Sequence, residues 1–173
     1  MSALILQSVS FSFSPNELAA IVCTIQVKGG GHATNPEFSS TKGVLISLSR
    51  FNSITFNSQT KELSVGAGCL SEELYKFIRP LNYNIVGGGG AVGISGWILG
   101  GGYSLKTDQH GLGTDNLIKV DIVVPRQDPN DATKFHHLVD VTNEAGKYPD
   151  LFWGVKVGPL RNLLDMTEEL MWA

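Results

Sequence analysis

Three consecutive glycines run straight into a histidine in Lys28-Gly29-Gly30-Gly31-His32. One turn therefore combines a bare backbone, able to offer peptide N–H groups to an anion, with a titratable and nucleophilic imidazole. A larger version of the same design lies downstream. The stretch Val86–Tyr103, VGGGGAVGISGWILGGGY, contains nine glycines. A core strand or helix gains nothing from so many missing side chains, and each glycine loses more backbone entropy on folding than any other residue. Such a stretch suits a large ligand whose phosphates lie against peptide N–H groups with no Cβ in the way. A nucleotide is the first candidate, and both glycine runs are expected to face it.

The elements that must position these runs are short. Leu4–Phe13 alternates loosely like a strand, and Ser14-Pro15-Asn16-Glu17 has the form of a helix start, with Ser14 as N-cap and Leu18, Ile21 and Val22 on one apolar face of a helix Pro15–Cys23. Thr24–Val27 is a strand ending in the first glycine turn, and the β-branched run Val44–Leu48 is expected to be a buried strand. Ile54–Phe56 and Glu62–Val65 are strands around the Asn57–Lys61 turn. Ser71-Glu72-Glu73 caps a helix reaching about Ile78 and stopping before Pro80. Tyr83–Val86 is the strand feeding the long glycine stretch. Leu117–Pro125 is a strand with period-2 valines and isoleucines, Arg126–Thr133 a loop and Lys134–Val141 a return strand. Pro149-Asp150 opens a short helix, and Leu160–Trp172 could form an amphipathic one. The whole is an α+β arrangement without repeats.

Length and composition narrow the classes. With 173 residues the chain fits one domain, or one domain of two small lobes, and can bury a single sizeable core. Its 13 Lys+Arg against 16 Asp+Glu give a net charge of −3 with no clustered basic patch, which disfavours nucleic acid as a partner. Cys23 and Cys69 have no metal or redox spacing and are expected to be small buried hydrophobes. His110, His136 and His137 lack partners at metal-ligand spacing, so no metal is expected. The N-terminus shows no charged region before its short apolar run, so no signal peptide or membrane span is expected and the compartment stays open. Gly88-Gly89-Gly90-Ala91-Val92-Gly93 matches the dinucleotide fingerprint GxGxxG literally, but Gly96 and Gly100–Gly102 would disable the helix which that motif must open. A nicotinamide site of that type is therefore not expected, and no P-loop is present.

Taken in order, Lys28–His32, the Ile46–Arg50 segment ISLSR, Val65–Gly68 VGAG, Val92-Gly93-Ile94-Ser95-Gly96, Leu99-Gly100-Gly101-Gly102-Tyr103, Gly111-Leu112 with Asp115-Asn116, and Asp150–Gly154 DLFWG form a set. That set resembles the PCMH-type FAD-binding domain of the vanillyl-alcohol-oxidase superfamily, in its berberine-bridge-enzyme-like branch and particularly its fungal members. The resemblance covers about residues 10–157, with 158–173 a divergent tail. It implies an α+β domain of two small α/β lobes clasping FAD, and an oxygen-dependent oxidation in which a carbohydrate alcohol or another small molecule gives hydride to the flavin. By resemblance, Lys28, Gly29, Gly30, Gly31, His32 and Ala33 form one cofactor-binding group. Gly89, Gly90, Val92, Gly93, Ser95 and Gly96 form a second around the pyrophosphate, and Gly101, Gly102, Tyr103, Asp115 and Asn116 complete the set. His32 matches the histidine that such enzymes bond to the 8α-carbon of the isoalloxazine. A cysteinyl second link, present in some members, has no counterpart, since Gly89-Gly90-Ala91 stands there.

Some residues keep two readings. Trp97 and Tyr103 either line the flavin or fill the core, and Asp115 and Asn116 either approach the cofactor or cap a turn. Three departures from the family pattern bear on activity: a short helix before Lys28, a changed sequence after Lys156, and no segment corresponding to the substrate-binding domain that supplies the general base. No catalytic residue is therefore assigned. The alternative to an enzyme is a truncated, non-catalytic flavin-binding remnant.

Overall fold

A computed structural model describes residues 25–125, 136–142, 149–157 and 167–172. The expected strand Leu4–Phe13, the helix Pro15–Cys23 and the loop Arg126–Thr133 lie outside the described residues. Strand β1 (Ile25–Lys28) pairs in parallel with β2 (Val44–Ser47), from Ile25 opposite Val44 to Lys28 opposite Ser47. Parallel strands need a crossover. Here the crossover carries the first glycine turn and the single-turn helix α1 (Pro36–Ser39).

The second sheet is antiparallel, in the order β3-β4-β7-β5-β6. Its strands are β3 (Ile54–Asn57), β4 (Glu62–Gly66), β5 (Leu117–Pro125), β6 (His136–Thr142) and β7 (Thr167–Trp172). The β3–β4 turn is made by the Asn57 side chain, whose Oδ1 accepts the N–H groups of Gln59 and Thr60 at 3.0 and 3.3 Å, while Lys61 takes the left-handed φ of 64°. Helix α2 (Ser71–Ile78) follows β4, α3 (Ile94–Leu99) follows the long glycine loop, α4 (Thr107–His110) is one turn, and α5 (Pro149–Val157) closes over the core. Leu74 and Ile78 of α2, Ile94 and Ile98 of α3, and Phe152 and Val155 of α5 pack on Leu63, Val65, Val120 and Ile122 of the sheet. A nicotinamide-type doubly wound sheet is excluded by these antiparallel pairings.

Four sequence expectations are corrected. Val44–Leu48 forms a strand, yet Val44, Leu45 and Ile46 are exposed and only Leu48 is buried, because the short helix α1 reaches β1 of this two-stranded sheet but leaves the apolar side chains of β2 uncovered among the described residues. Tyr83–Val86 is irregular, since it pairs with none of the described strands. The N-cap of α2 is Leu70 and not Ser71. There the Glu73 carboxylate accepts the Leu70 N–H at 2.7 Å, and Ser71, as first helical residue, sends its hydroxyl to the Val92 carbonyl. Finally, of the expected helix Leu160–Trp172 the described part, Thr167–Trp172, forms the strand β7. Its residues Leu170–Trp172 complete both neighbours at once, Val65 of β4 and Val120 of β5 both lying opposite Leu170.

Gly66 and Gly68 let the chain leave β2 across the end of β4. A Cβ on Gly66 would collide with the Phe51 carbonyl oxygen and one on Gly68 with that of Leu48, and both carbonyls lie on the passing segment. The adjoining Cys69 is fully buried, its Sγ directed weakly toward the Phe51 and Ser53 carbonyls. Burial, helped by the nearby Glu73 charge, pushes its thiol up to about 11 from an ordinary 9.0. The folded state thus favours the protonated thiol, a contribution fully present below pH 9 and lost as pH rises from about 9 to about 11. Replacing Cys69 by Ala is expected to remove about 2 to 3 kcal/mol of the fall in unfolding free energy across that window. Urea unfolding of both proteins at pH 8 and pH 11 measures it, and equal falls would contradict it.

Candidate functional site

The two glycine runs touch. A Cβ on Gly30 would stand 2.5 Å from the Gly93 Cα and 2.7 Å from the Gly93 nitrogen. A Cβ on Gly93 would fall on the Gly30 nitrogen, 2.6 Å from its Cα, and one on Gly29 would strike the Ser95 hydroxyl. These distances lie below any real side-chain contact, so both backbones must be bare. Neither Gly30 nor Gly93 needs glycine for its φ. Gly31 does, at φ +69°, where the Lys28 stem folds over it.

Each run is held from behind. The Lys28 carbonyl, at the end of β1, accepts the Leu48 N–H at 2.9 Å. The second run is gripped by the start of α2: Glu72 N–H donates to the Gly90 carbonyl at 2.9 Å, and Ser71 donates both its N–H and its hydroxyl to the Val92 carbonyl at 3.0 and 3.1 Å. Ile94 N–H donates to the Cys69 carbonyl at 3.0 Å. Further along, the Tyr75 hydroxyl donates to the Gly88 carbonyl at 2.6 Å. Burial raises the Tyr75 phenol above its usual value. Among the described residues, the N–H groups of Gly29, Gly30, Gly31 and His32 and those of Gly89, Gly90 and Ala91 have no backbone acceptor. His32 and Ala33 are exposed at the mouth of the first turn, as are Gly89 and Gly90 at the second.

Not every glycine serves an open cradle. Trp97 occupies the space that side chains on Gly88, Gly102 and Gly113 would need, the indole approaching a Cβ on these residues to 3.0, 3.3 and 2.5 Å. Trp97 is therefore packing, and its Nε1–H donates to the Tyr103 carbonyl at 2.7 Å. Gly101 and Gly102 take left-handed φ of 96° and 76°. The Gly101 carbonyl accepts from the Thr114 hydroxyl at 3.1 Å, and the Gly102 carbonyl from Gly113 N–H at 2.8 Å. The Tyr103 ring is exposed. Asp115 accepts the Leu112 N–H at 2.8 Å, and the Asn116 amide donates to the His110 and Leu112 carbonyls at 2.9 and 2.8 Å, so both side chains shape their own loop.

The structure thus brings Gly29 and Gly30 of the first run against Ser95 and Gly93 of the second. Gly101, Gly102, Tyr103, Asp115 and Asn116 form a neighbouring cluster joined to the glycine loop through Trp97. Gly96 lies inside α3 with open space where a Cβ would go. Sequence reading missed Tyr75 and Thr114. The signal for Tyr75 was its place four residues after Ser71, on the same side of α2.

The cradle fits an anionic diphosphate group by this structure's own evidence: bare backbones in contact, with two sets of N–H groups lacking backbone acceptors beside them. Among the described residues no group of His, Cys, Asp and Glu could hold a metal, and no helix is long and apolar enough to cross a membrane.

A family model described as an FAD binding domain matches residues 16–127. An FAD-dependent monooxygenase of Penicillium terrestre is 36% identical over 156 residues, covering 87% of this chain and 28% of that protein. One from Aspergillus niger is 32% identical over 144 residues, 82% of this chain and 23% of its own length. Among solved structures, glucooligosaccharide oxidase of Acremonium strictum aligns with a TM-score of 0.69 at 26% identity, over 90% of this chain and 30% of that one. The 6-hydroxy-D-nicotine oxidase of Arthrobacter nicotinovorans aligns with a TM-score of 0.73 at 26% identity, over 87% and 30%. The chain spans about a quarter to a third of the length of these proteins.

The two kinds of glycine separate by substitution. Gly93→Ala is expected to cost about 1 to 3 kcal/mol, because its Cβ meets immovable backbone. Gly96→Ala is expected to be neutral or stabilising by up to about 1 kcal/mol, because a helical glycine with open space gains from a methyl group. Thermal or urea unfolding of the two variants reports the difference, and equal effects would contradict the assignment of the close contact.

Proposed function

The chain belongs to the family of PCMH-type FAD-binding domains, among fungal FAD-linked oxidoreductases and berberine-bridge-enzyme-like flavoproteins, and on that premise we propose that its two glycine runs together hold the pyrophosphate of FAD. The Gly30–Gly93 contact supports the reading, because it brings together two runs that each carry N–H groups without a backbone acceptor among the described residues. The backbone of Gly29–His32 binds one side of the diphosphate and that of Gly89–Gly93 the other, with Ser95 and Gly96 at the start of α3 completing the second group. Lys28 adds a positive charge close to the turn. Ala33 continues the first group. Gly101, Gly102, Asp115 and Asn116 act by shaping the loop that leads to the exposed Tyr103.

His32 is the proposed covalent tether. Its position supports this: the imidazole is exposed directly after the three glycines, at the mouth of the cradle. A neutral imidazole is a competent nucleophile, and attachment to the flavin fixes the ring and makes it a better hydride acceptor. The glucooligosaccharide oxidase of Acremonium strictum carries 6-S-cysteinyl, 8α-N1-histidyl FAD. With Gly89-Gly90-Ala91 at the point where a second link would arise, the tether proposed here is single.

Bound FAD supplies a hydride-accepting ring that molecular oxygen can reoxidise. The reaction proposed for the whole protein is oxidation of a carbohydrate alcohol or another small molecule. Structural neighbours named for an oligosaccharide and for hydroxynicotine share this same portion of fold, which supports a substrate choice made outside the glycine cradle.

Purified protein is expected to be yellow, to keep its flavin in the pellet after acid precipitation, and to lose it there in His32→Ala. The flavin absorbance of pellet and supernatant decides. Colourless wild-type protein would overturn the FAD reading, and flavin retained by the variant pellet would overturn the tether.

A further inference from the structure

We propose that Tyr75 is a positioning residue for the cofactor site, setting the direction in which the Gly89 amide points. The inference rests on the FAD reading above and extends it to a residue outside the glycine runs. In a trans peptide unit the carbonyl of one residue and the N–H of the next point in opposite directions within one plane. Fixing the carbonyl therefore fixes the amide.

Three carbonyls of the second run are captured by α2. Tyr75 Oη–H donates to that of Gly88, Glu72 N–H to that of Gly90, and Ser71 N–H and Oγ–H to that of Val92. The N–H groups of Gly89, Ala91 and Gly93 consequently point away from α2. Gly30 of the first run lies against Gly93 and against the Leu70 side chain at the N-cap of α2, so the first run meets the loop at this end. Two of the three carbonyls are held by backbone amides, which no side-chain change short of proline removes. The Gly88 carbonyl depends on one side chain.

The tyrosine is shaped for this. Its hydroxyl stands 2.5 Å from where a Cβ of Gly87 would be, so Gly87 is bare to admit the ring, and the half-buried phenol keeps its proton at neutral pH. A Cβ on Gly89 would meet nothing closer than the Val92 methyl at 3.7 Å, and the Gly89 carbonyl, which accepts the Val92 N–H at 2.9 Å, belongs to the next peptide unit, so the Gly88–Gly89 peptide can turn if the hydroxyl is absent. Glycine tolerates such rotation better than any other residue.

The test is Tyr75→Phe, which keeps the ring and removes only the donor, against Tyr83→Phe, which removes a hydroxyl bound to Lys61 on the neighbouring irregular segment. Each tyrosine variant is made in a His32→Ala background, where the proposed covalent link cannot form; FAD is added to the flavin-free protein, its dissociation constant is taken from quenching of flavin fluorescence, and urea unfolding of each apoprotein is recorded. Tyr75→Phe is expected to weaken FAD roughly tenfold, with the apoprotein midpoint unchanged and with Tyr83→Phe binding like wild type. Unaltered affinity in Tyr75→Phe, or a loss matched by Tyr83→Phe or by a lower unfolding midpoint, would overturn the positioning role while leaving the FAD reading intact. A wild-type chain without affinity for FAD would instead overturn the reading on which it rests.

Discussion

Two backbones meet at Gly30 and Gly93 with no side chain between them, and the cofactor site depends on that approach. One backbone comes from the turn after β1, the other from the loop between α2 and α3. Neither position has an unusual φ, so glycine is required there only by distance. The contact joins two runs that each carry N–H groups without a backbone acceptor among the described residues, and a pair of peptide edges can surround an anion as one edge cannot. Everything nearby serves to keep the edges in place: the Lys28 carbonyl is tied to the strand beside it, and three carbonyls of the second loop are tied to α2.

Glycine does two other kinds of work in the same stretch. Gly87 and Gly88 are bare to admit Tyr75 and Trp97, and Gly102 and Gly113 to admit the far side of the same indole. Trp97 then acts as a spacer between the glycine loop and the loop ending at Asn116, and its Nε1 fixes the Tyr103 backbone. A composition that reads as a surface for a ligand is thus partly a socket for two aromatic rings. Gly101, by contrast, is needed for its left-handed backbone alone.

What the sequence carried was the local part. The β3–β4 hairpin was legible in Asn57 and the alternation around it, α2 in its acidic start and in Pro80, and β5 in its period-2 valines. The pairing of the two glycine runs was legible as an expectation, because both lack Cβ atoms next to chemistry-bearing residues. Non-local partners were not legible. Nothing in Leu160–Trp172 alone shows that a gap between β4 and β5 awaits a strand, and its apolar spacing also suits a helix, so tertiary pairing overrode periodicity. Tyr83–Val86 failed in the opposite sense, since a strand-like run with no neighbour to pair with stays irregular. The loop hydrogen bonds of Asp115 and Asn116 show the turn-building part of their expected roles.

The central claim is that both glycine runs close on one ligand. Amide hydrogen exchange, resolved by residue with and without added FAD, tests it most directly. The account predicts that Gly29–His32 and Gly89–Gly93 gain protection together at the same FAD concentration, with no comparable change in the β3–β4 hairpin. Protection of one run without the other, or of neither while FAD is bound, would contradict it.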